Sequence, residues 1–237
     1  MRTIGLLGGM SWESTVLYYQ LLNEGVRDRL GGLHSAEILL HSVDFSRIEQ
    51  LQVSGKWQEA GDLLAAAACG LQQAGADMIL ICTNLMHKVA PKILENIQIP
   101  LLHIADAAGR AIQQQGLTKV GLLGARYTME EGFYRQRLKD QFGLEVVIPE
   151  EGDREYVHWV IFSQLCQGKF TEEARRNYLA IIEKLRQQGA QGVVLGCTEI
   201  PLLVRQEDSD LPLFNTTALH AHYALEYAFA EADVAVA

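Results

Sequence analysis

A chain of 237 residues can enclose two compact α/β lobes, and its 49% hydrophobic and 21% charged residues are the balance of a globular protein, not of a disordered or fibrous one. The formal net charge of −9 argues against nucleic acid as a partner, because counterion release needs clustered Lys and Arg. No basic-then-apolar leader and no apolar run of membrane-spanning length is seen, so the expected location is the cytoplasm with no membrane partner.

Strand-like apolar runs alternate with longer helical patterns along the chain, which predicts βα units and largely parallel sheets. A first strand is expected over 3–7. An amphipathic helix follows over 13–30, opened by Ser11 as a cap and closed by Gly31 and Gly32. A second strand is expected over 36–43, an alanine-rich helix over 57–74 and a buried strand over 78–81, giving a flavodoxin-like rhythm.

Three segments then recur in the same order. TIGLLGG at 3–9 returns as KVGLLGA at 119–125, GADMILICT at 75–83 as GAQGVVLGC at 189–197, and IPLL at 99–102 as LPLF at 211–214. A duplicated half explains this best. The expected fold is therefore α/β, with two pseudo-symmetric flavodoxin-like lobes built on parallel sheets: residues 1–100 plus 214–237 form the first and 101–213 the second. Ligands of parallel α/β sheets bind beyond the carboxyl ends of the strands, so the duplicated strand ends are expected to meet at an interlobe active site.

The register of the repeat sets Thr83 opposite Cys197, and Cys82 opposite Gly196. The four cysteines, Cys69, Cys82, Cys166 and Cys197, include no CxxC pair, so neither a disulfide framework nor a zinc site is expected. Cys69, Cys82 and Cys166 read as small apolar core residues. Cys197 differs because it ends a strand and precedes Thr198 and Glu199, where backbone N–H groups can stabilise a thiolate that acts as nucleophile or base. No spacing dictates a catalytic histidine; His87, His158 and His220 would have to be brought to the thiol by folding.

Gly8-Gly9-Met10, the CTNLMH segment at 82–87 and the LGCTE segment at 195–199 together resemble the aspartate/glutamate racemase family over almost the whole chain. The resemblance implies an active site between two lobes, no pyridoxal phosphate or metal, a small amino-acid substrate and a homodimer. It also implies two-base racemisation, in which one residue removes the α-proton and another returns a proton to the opposite face. Most of the family has two cysteines at the positions matching Thr83 and Cys197. This chain is similar instead to the threonine/cysteine branch associated with L-aspartate/L-glutamate racemisation or broader amino-acid substrates.

A threonine hydroxyl is a far weaker acid than a thiol, so Cys197 is expected to start as the base and the enzyme to favour the direction in which Cys197 abstracts. The resemblance places Asn84 and Thr198 at the substrate carboxylate and Met10, Gln52 and Leu85 along the pocket. From the residues alone, Met10 can equally pack and Gln52 can equally be a solvated helix residue. Arg47, Lys88 and His158 are candidate partners for a second carboxylate, with exposure the better reading of each; Glu199 reads as an anchor of the Cys197 loop. Leu85 and Ala125 stand where relatives often have threonine, which favours a more apolar or less selective pocket. The rival readings are a single-cysteine decarboxylase or maleate-type isomerase of the same superfamily, and a non-catalytic carboxylate-binding module.

Overall fold

The computed structural model describes residues 1–230. In chain order the elements are β1 (Ile4–Gly8), α1 (Trp12–Leu30), β2 (Ile38–Ser42), α2 (Phe45–Val53), α3 (Trp57–Gln73), β3 (Met78–Ile81), α4 (Ala90–Leu94), α5 (Ile104–Gln114), β4 (Lys119–Gly124), α6 (Arg126–Glu130), α7 (Gly132–Phe142), β5 (Glu145–Val147), α8 (Glu151–Ser163), α9 (Glu172–Gln187), β6 (Val193–Gly196), α10 (Ile200–Leu203), β7 (Leu213–Asn215) and α11 (Thr216–Phe229). They form two parallel sheets, ordered β2-β1-β3 and β5-β4-β6-β7. No helix among the described residues is long and apolar enough to cross a membrane.

The chain divides into two units, Met1–Ile104 with His220–Ala237, and Ala105–Leu219. The sequence places the crossings at 100/101 and 213/214; the division falls at 104/105 and 219/220, and residues 231–237 of the expected first lobe lie outside the described residues. The physical reason for the later return lies in β7. Its Leu213 pairs with Val193 and its Asn215 with Leu195, so this strand completes the second sheet before the helix begins.

In the first unit the central strands bury both faces, which is why β1 and β3 read as unbroken apolar runs. Leu7, Ile79 and Ile81 pack on one side against Leu64, Ala68 and Ile93, from α3 and α4. Ile4, Leu6, Met78, Leu80 and Cys82 point the other way, onto Tyr18 and Leu22 of α1 and Ala224 and Phe229 of α11. Cys82 thus continues the alternation of Met78 and Leu80 as a core residue, and burial pushes its thiol far above the ordinary thiol range.

Helix α1 starts where the sequence suggests. The Ser11 hydroxyl accepts from Ser14 N at 3.4 Å, and the helix stops at Gly31, whose φ is 74°. Before it, Gly9 makes the tight turn after β1 with φ 89°; a Cβ there would lie 2.2 Å from the Val43 carbonyl oxygen. Gly9→Ala combines a positive φ with a backbone clash and is expected to destabilise the protein by about 2 kcal/mol or more. Urea denaturation checks this, and an unchanged midpoint would contradict it.

Candidate active site

Each sheet ends, at its carboxyl edge, in a short loop carrying the residues of interest. In the first unit the ladder continues one step past β3, with Cys82 N donating to the Leu7 carbonyl at 2.9 Å. Thr83 follows, partly buried, and a 3-10 turn runs over Leu85–Val89. His87 turns back onto this loop. Its Nε2 accepts from the Ile104 N–H at 3.2 Å, so Nδ1 carries the proton and donates to the Thr83 carbonyl at 2.8 Å.

In the second unit, Gly124 and Gly196 let the ends of β4 and β6 approach closely: a Cβ on Gly124 would lie 2.8 Å from the Gly196 carbonyl oxygen. Cys197 follows directly. Its Sγ donates to Glu199 Oε2 at 3.0 Å, and the Thr198 hydroxyl donates to the same oxygen at 2.8 Å. Glu199 is only 7% exposed, and these two donors help to compensate a carboxylate withdrawn from water.

Burial first, and then the Glu199 charge, push the Cys197 thiol well above its usual range, so at neutral pH the proton stays on sulfur. What the site holds at rest is a thiol already aimed at a proton acceptor. A group of that kind can lose its proton to the neighbouring carboxylate and become a base for an adjacent C–H.

The sheet registers can be compared through the repeat of 3–9 in 119–125. Leu7 lies opposite Ile81 in the first sheet, which brings Gly8 level with Cys82; Gly124 lies opposite Gly196 in the second. Because 3–9 corresponds to 119–125, Cys82 is equivalent to Gly196 and Thr83 to Cys197. The last repeat agrees: Leu101 bridges to Ile79 as Leu213 pairs with Val193, with Ile79 N bonded to the Pro100 carbonyl and Val193 N to that of Pro212, each at 2.8 Å.

Of the other residues singled out from sequence, Met10, Gln52, Asn84 and Leu85 are all buried in the first unit. Gln52 is no solvated helix residue, since its Nε2 donates to Met86 Sδ at 3.0 Å and ties α2 to the 3-10 turn. Thr198 joins Cys197 on Glu199 in the second unit. Arg47 is exposed beside a surface hollow lined by His41 and Asp44. Lys88 has its Nζ 3.7 Å from the Trp57 ring centre. His158 accepts from Arg126 N at 3.3 Å, and burial and then the Arg126 charge lower its pKa. Among the described residues no group of three or more His, Cys, Asp or Glu side chains is arranged to hold a metal ion.

Sequence reasoning missed the direct contact of Glu199 with the thiol and the hold of His87 on Thr83. The two-residue and four-residue spacings are compatible with contact, but side-chain direction on an irregular turn is not written in spacing.

Two α/β units with parallel sheets, each with a hydroxyl or thiol just past the end of a buried strand, define a duplicated α/β protein with equivalent strand-end sites. The Asp/Glu/hydantoin racemase family matches residues 7–224, and the chain belongs to that family. A Yersinia pestis protein provisionally described as an Asp/Glu racemase is 54% identical with a TM-score of 0.92, over 97% of this chain and 100% of that one. An aspartate racemase homologue from Pyrococcus horikoshii is 33% identical with a TM-score of 0.84, over 96% and 99%. The broad specificity amino-acid racemase RacX of Bacillus subtilis is 22% identical over 64% of each chain. Curated glutamate racemases are matched over about half their length, 47% for the Trichormus variabilis protein.

Proposed function

We propose that this protein is a cofactor-independent amino-acid racemase in which Cys197 and Thr83 serve opposite faces of the substrate α-carbon. The observation that carries the reading is the Cys197 thiol bonded to the buried Glu199 carboxylate, at the strand end equivalent to the one that bears Thr83.

In the L-to-D direction, the Cys197 proton passes to Glu199, and the thiolate removes the α-proton to leave a carbanion. The Thr83 hydroxyl gives its proton to the other face, and the resulting alkoxide is reprotonated through water. Glu199 returns its proton to solvent, and Cys197 holds the proton taken from substrate. Every step is a proton transfer between groups of this chain, substrate and water, so neither pyridoxal phosphate nor a metal enters it.

Asn84 and Thr198 are assigned to the substrate carboxylate, and Met10, Gln52 and Leu85 to the pocket wall. With Leu85 and Ala125 in place of hydroxyl-bearing residues, the pocket suits L-aspartate and L-glutamate or a broader set including less polar amino acids. A racemase has an equilibrium constant of one, so kcat/KM must be equal from both enantiomers. The chemical inequality of thiol and hydroxyl then shows only in kcat and KM taken separately, both larger from the enantiomer on which Cys197 acts as base.

The test is chiral chromatography over a panel of L- and D-amino acids incubated with the enzyme. Interconversion of at least one acidic or broader-set pair is expected. Failure to interconvert any pair, alongside turnover of a malonate or maleate, would overturn the racemase reading in favour of a decarboxylase or isomerase.

A further inference from the structure

Three buried histidines, His87, His103 and His220, cluster in the first unit behind Thr83. The His87 ring lies 4.4 Å from that of His103 and 5.7 Å from that of His220, centre to centre. His220 is held at both nitrogens: Nε2 donates to the Leu102 carbonyl at 2.7 Å, which leaves Nδ1 to accept from Tyr18 OH at 2.8 Å. His87 is likewise engaged at both, by the Ile104 N–H and the Thr83 carbonyl.

From this cluster we propose that His87 is a positioning residue that sets Thr83 through its main-chain carbonyl. The inference rests on the reading of Thr83 as the second proton-transfer group. The last ladder bond belongs to Cys82, so the Thr83 carbonyl has left the sheet and takes its direction from the loop. The Nδ1–H of His87 supplies a donor at that point, and the His87 N–H closes the same turn on the Asn84 carbonyl at 3.2 Å. The ring is anchored at its far edge to the main chain at Ile104 and packed against two further histidines, tilted to His103 and edge-on to His220, which is locked by Tyr18. It therefore acts as a rigid strut between the start of α5 and the Thr83 loop. The strut needs one tautomer, neutral with the proton on Nδ1, because an imidazolium cannot accept from Ile104.

Two near-isosteric variants separate the two ends of the strut. His87→Asn keeps a donor close to the Nδ1 position and gives up the acceptor; His87→Gln keeps an acceptor close to the Nε2 position and gives up the donor to Thr83. In deuterated buffer, the L-substrate reports two processes: deuterium returned to the same face by Cys197, and deuterated D-product, which requires Thr83. Displacing a reacting group by about 1 Å can cost up to about a hundredfold in rate. His87→Gln is thus expected to raise the ratio of same-face exchange to racemisation about tenfold or more, and His87→Asn to keep it within about threefold of wild type.

A purely structural role would lower both processes in proportion, and an unchanged ratio in His87→Gln, or indistinguishable variants, overturns the proposal. Nitrogen-15 NMR of histidine-labelled wild-type protein provides the check that does not depend on the variants folding: His87 must show a protonated Nδ1 and a bare Nε2, and the opposite tautomer or an imidazolium near neutral pH overturns it. If wild type neither exchanges nor racemises any amino acid, the racemase reading itself has failed, which is a distinct result.

Discussion

Cys197→Ala is expected to reduce racemisation by about a thousandfold or more while leaving the fold intact, because it deletes the group proposed as the base for one face and removes a single sulfur atom past the end of β6. The thiol contributes a hydrogen bond to Glu199 and lies past the end of β6 at Gly196, so thermal stability is expected to change little. Chiral chromatography with circular dichroism on the same samples separates loss of chemistry from loss of structure. Retention of more than a tenth of the wild-type rate would remove Cys197 from the mechanism.

Glu199→Gln is expected to produce two effects of opposite sense. The amide keeps the shape and an acceptor oxygen for Thr198, but it cannot take the thiol proton, so racemisation should fall by about a hundredfold. The carboxylate charge is one of the causes that raise the Cys197 thiol, second to burial. Its loss must lower the thiol pKa, although burial still holds it up. The sign follows from the acid form being neutral: a nearby negative charge disfavours the thiolate, and removing it favours the thiolate. Peptide-resolved iodoacetamide labelling against pH measures this directly at Cys197, apart from Cys69 and Cys166. The wild-type midpoint should lie above 9.0, the ordinary thiol value, and the variant midpoint should move downward. A more ionised thiol combined with a slower enzyme is the signature of a lost proton acceptor, and an unchanged or higher midpoint would contradict the assignment.

Much of the architecture was legible because local signals and burial agree. Ser11 before an amphipathic stretch and Gly31 after it mark α1 by capping chemistry, and the apolar 78–81 run forms β3. The duplication was legible because each half must build the same parallel crossover. Less legible was the helix after β7, since nothing local marks where a continuous helix passes from one unit to the other within α11. The site divides the same way. Thr83 and Cys197 could be matched by counting from the repeat, whereas the protonation state of Cys197 depends on burial and on where one carboxylate turns. The backbone N–H groups expected to favour a thiolate are outweighed by those two causes. The proposed histidine strut was hidden because the direction of the His87 ring is not written in spacing, and His220 joins the cluster only through the return of α11 to the first unit.

Proton NMR in deuterated buffer, following the α-proton of L-aspartate, L-glutamate and a wider set of L- and D-amino acids, tests the central claim most directly. Carbanion chemistry at Cys197 requires the α-proton signal of at least one substrate to disappear with the wild-type enzyme and to persist with Cys197→Ala. Loss of the signal at equal rates with both proteins, or with neither for any amino acid, would contradict it.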